Sequence, residues 1–194
     1  MAIADMLRRL YSSLQLKWRQ KAARRKEVKK MSEKNWLQRT KVLRKQYPAY
    51  FTEELREHHA SLAELHDATP QKNQDAAYTL SAASKALDKH PQHAKQLFEL
   101  AHATLQKNQD TWRTLGAASR ALAKHPQHAP EIFGLAHAAL QRNQNAFVTL
   151  GAANVALREH SPEKIFEVAQ AAFAGNLSAR QAINNYVRMM KGRK

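Results

Sequence analysis

Along residues 71–176 the apolar positions return every 35 residues. Leu80, Leu115 and Leu150 correspond, as do Leu87, Leu122 and Leu157, and so do the polar Asn73, Asn108 and Asn143. Within one unit the spacing is helical. Trp112, Leu115, Ala118 and Leu122 fall at i, i+3, i+6 and i+10, a stripe on one face. After an interruption Ile132, Phe133, Ala136 and Leu140 form a second stripe, so each unit predicts two helices. Asp110 stands where an N-cap belongs, with Asp75 and Asn145 at the same place in the neighbouring units. The first helix is predicted to stop at the His125-Pro126-Gln127-His128 turn, because Pro126 disfavours helical geometry in His125. Asn108 and Asn143 suit C-caps, since Asn tolerates the left-handed conformation. Gly116, Ala117, Ala118 and Ala121 are small enough to let helices approach closely.

The repetition goes beyond hydrophobicity. Gln71–Glu99 and Gln106–Gly134 are identical at 19 of 29 positions, and the shared residues include the loop words Asn-Gln-Asp and His-Pro-Gln-His. A third copy starts at Gln141 and is two residues shorter between His160 and Phe166. Two readings account for the loops. In one, duplication is recent, and turn chemistry alone explains Asn, Asp and Pro. In the other, the loop edges form recognition ladders. Ser178 suits the N-cap of a last helix carrying Ala182, Ile183, Tyr186 and Val187, which reads as a terminal cap on the array.

Ahead of the repeats the pattern changes. Ile3, Met6, Leu7, Leu10, Leu14 and Trp18 form a helical stripe, continued less regularly by Val28, Met31, Trp36, Leu37 and Val42. No Gly or Pro interrupts it before Pro48, so one or two amphipathic helices are expected. A further helix is expected from Thr52 as N-cap, with Glu53 and Glu54 near its positive end. The organisation is thus a helical arm over 1–47, a connecting helix over 48–70, a repeat array over 71–176, and a capping helix with a basic tail over 177–194. The fold class is all-α, a short solenoid of about three helix-pair repeats preceded by the arm.

Thr111-Trp112-Arg113-Thr114-Leu115-Gly116 resembles the opening of a tetratricopeptide repeat, Trp-x-x-Leu-Gly, or of a pentatricopeptide repeat, Thr-Tyr-Asn-Thr-Leu. The 35-residue period suits the second. The resemblance covers about residues 71–176 and implies an α-solenoid. The His-Pro-Gln-His turn departs from both families, as does the missing Pro near the end of the unit. Pentatricopeptide repeats read one RNA base per unit, from a polar side chain early in the first helix and another at the unit's end. Tyr78, Arg113 and Val148 hold the early place here and are not a polar reading set, although Asn73, Asn108 and Asn143 fit the end place. No base code carries over.

Charge sharpens the picture. The net charge is +16, and residues 1–46 hold fifteen Lys and Arg against three acids, while 47–185 are balanced and the tail adds four cations. Lys17, Arg19, Lys21, Arg24, Arg25, Lys26, Lys29 and Lys30 crowd into fourteen residues opposed only by Glu27. Like charges at that density repel unless a polyanion accepts them, and phosphate backbones do so with release of counterions. These eight are the candidate nucleic-acid contacts, with Arg39, Lys41, Arg44 and Lys45 behind them. Trp18 and Trp36 offer rings that stack on bases or fill a core. A solvated helix, an acidic protein surface or an anionic membrane are the competing partners for the arm.

Other chemistry is thin. The chain has no Cys, which excludes disulfides, thiolate catalysis and Cys-ligated metals. His90/His93 and His125/His128 have ligand-like spacing, but equivalent pairs on stacked helices would stand about 8–10 Å apart, too far to share one ion. His102 and His137 recur among Ala and Leu, as packing residues do. No phosphate loop, nucleophile elbow or His-Glu-x-x-His occurs, so no catalysis and no cofactor are expected. No apolar run approaches the roughly 20 residues of a membrane span. The expectation is a cytoplasmic, non-catalytic nucleic-acid-binding protein, RNA slightly ahead of DNA. Its alternative is a protein–protein adaptor whose repeats hold the partner while the arm docks on an acidic surface.

Overall fold

The computed structural model describes residues 37–192. The chain divides into two units, Met1–Lys45 and Gln46–Lys194. In the first, the described residues 37–45 are helical, and this helix, α1, ends at residue 46, just before the residue that precedes Pro48. Leu37 and Val42, placed on the apolar stripe by the sequence pattern, are exposed, and the buried side chain here is Leu43.

The described residues of the second unit contain helices and turns but no strand. The helices are α2 (His59–Ala68), α3 (Ala76–Lys89), α4 (Ala94–Gln106), α5 (Thr111–Lys124), α6 (Ala129–Gln141), α7 (Ala146–Ala156), α8 (Pro162–Ala174) and α9 (Ala179–Lys191). They pack in two rows: α3, α5, α7 and α9 side by side in one, and α2, α4, α6 and α8 in the other. The even-numbered helices α2, α4 and α6 begin 35 residues apart, as do α3, α5 and α7. The core lies between the rows, where Leu80, Leu87, Leu115, Leu122 and Leu150 face Leu62, Leu100, Ile132 and Ile165, all essentially inaccessible. Thr79, Thr114 and Thr149 are buried beside them, each hydroxyl donating to the carbonyl four residues back, which satisfies the polar atom inside the core.

Capping follows the predicted residues with two exceptions, Asp110 and Thr52. Asp75, Asn145 and Ser178 accept backbone N–H groups of α3, α7 and α9. Asp110 makes no such bond. Its carboxylate instead meets Arg113 at 3.3 Å. The expected helix from Thr52 begins later, as a 3-10 turn at Arg56–His58 leading into α2. Thr52 instead offers its carbonyl to the buried ring of His59, at 2.8 Å. Gly116 is not a close-approach residue either: a Cβ there would touch only the Arg120 guanidinium, at an ordinary 3.5 Å.

The loops combine the left-handed Asn that the sequence suggests with a glutamine role that neither reading of the loops contained. Asn73, Asn108, Asn143 and Asn176 all have φ between 52° and 56°, the left-handed C′ position. The next residue closes the helix end: Gln109 N–H reaches Thr104 O at 2.9 Å, and Gln74, Gln144 and Leu177 make the equivalent bond. The glutamine side chain then crosses to the following unit. Gln74 Nε2 donates to Gln109 O at 2.7 Å while its Oε1 accepts from Thr111 N at 3.0 Å. Gln109 repeats both bonds with Gln144 O and Ala146 N. Gln144 repeats them with Leu177 O and Ala179 N. The ladder ends there, because Leu177 has no amide to hand on. Each amide is satisfied at both ends, and each bond contributes about 0.5–1.5 kcal/mol net.

The His-Pro-Gln-His turns also bind across units. His90 Nε2 donates to Ser119 O at 3.0 Å. His58, His93 and His128 set their rings against Phe98, Phe133 and Phe166, with centroids 5.9–6.1 Å apart.

Candidate nucleic-acid interface

The sequence-predicted contacts divide by position. Lys17, Arg19, Lys21, Arg24, Arg25, Lys26, Lys29 and Lys30 lie outside the described residues. Lys41, Arg44 and Lys45 are exposed on α1, with Lys41 and Lys45 one helical turn apart on the same face, and Arg39 is half-buried. Trp36 lies outside the described residues, and so does Trp18.

A second cationic surface sits on the repeat body, and charge counting conceals it. Tyr78, Lys85 and Lys89 of α3 fall seven and four residues apart, so they share one outward face. Arg113 and Arg120 make the same face of α5, again seven apart. Between the two helices lies a groove of about 600 Å³, floored by small residues including Ser81, Ala82 and Gly116 and bounded on its far side by Phe147 of α7. Four cations line it and no carboxylate does. Asp110, which pairs with Arg113, stands outside that lining. Lys85, Lys89 and Arg120 have no carboxylate partner among the described residues.

The same groove carries exposed rings. Trp112, predicted on the buried stripe, is 38% exposed, and Tyr78 is 62% exposed. Trp112 is the second residue of α5, where the helix end overhangs the core, so Leu115, Ala118 and Leu122 fill the interior without it. The Tyr78 and Trp112 centroids are 5.7 Å apart with their planes inclined by 33°. The Arg113 guanidinium lies 5.1 Å from the Trp112 centroid and 5.9 Å from that of Phe147, bridging the two rings. The glutamine ladder holds the backbone beside two of these rings: Gln74 accepts from Thr111 N, the residue before Trp112, and Gln109 from Ala146 N, the residue before Phe147.

The opposite row differs in chemistry. Its groove between α2 and α4 mixes Glu64 and Glu99 with Lys95, His58 and His102. A smaller groove between α6 and α8 is largely apolar, with Glu131 its one charged group. The excess of cations is thus in the groove of the α3–α5–α7 row, and neither groove of the other row has one. The His pairs stand in the turns, and among the described residues no three His, Asp or Glu side chains gather as a metal site would require. Glu163 is held below the usual carboxylate range by a hydrogen bond from its own backbone N–H and one from Ser161, the ordinary state of an acid in the first turn of a helix. Among the described residues no helix is long and apolar enough to cross a membrane.

No family model, curated protein or solved structure matches this chain.

Repeat alignment offers a sequence signal for the groove. Trp112 and Phe147 are 35 residues apart, as are Lys85 and Arg120. The zero net charge of residues 47–185 hides how the signs are sorted between faces.

Proposed function

We propose that this protein is a non-catalytic binder of nucleic acid, RNA ahead of DNA. The basic arm supplies phosphate contacts, and a short solenoid of helix-pair repeats, akin to tetratricopeptide- or pentatricopeptide-type arrays, acts as the scaffold. The observation that carries this reading is a local excess of positive charge in the sequence: eight cations against one acid within residues 17–30. The acid-free groove of the repeat body supports it. A strand of phosphates is the partner that satisfies such a surface, through counterion release.

The test is a titration of labelled RNA and of duplex DNA with the full chain and with a variant carrying Arg24, Arg25, Lys29 and Lys30 changed to Gln. Loss of four phosphate contacts is expected to weaken binding by about a hundredfold at low salt. An unchanged affinity for both nucleic acids removes the arm from the account. A protein adaptor is the second reading, favoured by the mixed-charge groove between α2 and α4. It predicts that nucleic acid is not bound by either chain.

A further inference from the structure

We propose that the groove across α3, α5 and α7 is a binding site for single-stranded nucleic acid, with bases stacking on Trp112 and Tyr78 and phosphates held by Lys85, Lys89 and Arg120. This rests on the reading of the protein as a nucleic-acid binder, but it places on the repeat body a site that the arm does not supply.

Three features converge on a single strand. The first is the combination of groups. Exposed rings and unpaired cations in one groove match a ligand with both flat apolar faces and anionic links, which is what an unpaired nucleotide chain offers. An acidic peptide would use the cations and leave Trp112 and Tyr78 in water. A duplex would use the cations too, but its bases present edges rather than faces. The second is geometry. The rings are inclined by 33° and their exposure leaves surface for a further planar group. Arg113 spans from Trp112 toward Phe147, adding a planar cation to the platform. The third is preorganisation. The glutamine ladder holds the backbone immediately before Trp112 and before Phe147, so the main chain that carries these two rings is set before a ligand arrives. On the α2–α4 side, Glu64 and Glu99 would repel the same strand.

The chain has three Trp, so the full-length protein with Trp18→Phe and Trp36→Phe reports on Trp112 alone. It is titrated with a single-stranded oligouridylate of about 12 nucleotides, with duplex RNA of equal length and with polyglutamate. Saturable quenching of Trp112 emission by the single strand, without quenching by the duplex, is the expected result. Adding Lys85→Glu and Arg120→Glu, both surface changes, is expected to abolish the quenching and cost about tenfold in single-strand affinity. Binding of the strand with Trp112 emission unchanged, or undiminished binding by the Glu variant, overturns the groove while leaving the arm reading intact. Quenching by polyglutamate as strong as by the strand makes the groove a peptide site and also overturns the proposal. Absence of any nucleic-acid binding removes both readings together.

Discussion

Gln74, Gln109 and Gln144 show how a polar loop residue becomes structural. Each spends its carboxamide on two backbone groups of the next unit, one as donor and one as acceptor. Glutamate at such a site keeps the acceptor and loses the donor, and it points an anion at a carbonyl. Gln109→Ala is therefore expected to destabilise the fold by about 1–3 kcal/mol in chemical denaturation, because Ala146 N–H and Gln144 C=O lose their partner in a half-buried place. Gln109→Glu is expected to cost at least as much, and Gln92→Ala, in an exposed turn with no such bond, close to nothing. Equal effects at Gln109 and Gln92 would remove the ladder from the stability account. The function of these glutamines was not legible in sequence. Their repetition was visible, but a side chain that bonds 33–37 residues away leaves no local trace.

At the scale of elements, local signals were the readable ones. Asp75, Asn145 and Ser178 cap helices through N–H groups two or three residues on, and left-handed Asn needs only its own backbone, so sequence marks both. The start of α2 escaped because Thr52 and the two following acids imitate a helix start. Register was the better guide: His58, Leu62 and Asn73 lie 35 before His93, Leu97 and Asn108, and α2 begins 35 residues before α4. The turns make a prediction of their own. Burial first, then His128 and Lys124, lower the pKa of His125 below the ordinary 6.5. A histidine whose folded value is depressed contributes stability above its unfolded value and loses it as the pH falls through the folded one. The melting temperature is thus expected to fall between about pH 7 and about pH 5, and His125→Gln to flatten that part of the curve. Glu54 and Glu163, both lowered, act only nearer and below the carboxylate value of 4.5, outside this window. A melting curve that stays equally steep in the variant would assign the effect elsewhere.

For the whole molecule, charge was legible as a sum and illegible as a pattern. The cationic run at residues 17–30 can be counted directly. The groove could not be, since it takes Tyr78 and Lys85 from one helix, Trp112 and Arg120 from the next and Phe147 from a third. The central claim is that this distribution of charge serves a polyanion. It is tested most directly by the salt dependence of binding of the full chain to a labelled single-stranded RNA. The account predicts a linear fall of log K with log salt between about 50 and 200 mM, with a slope of about −4 or steeper for six or more neutralised phosphates. A slope near zero, or no binding at the lowest salt, would contradict it.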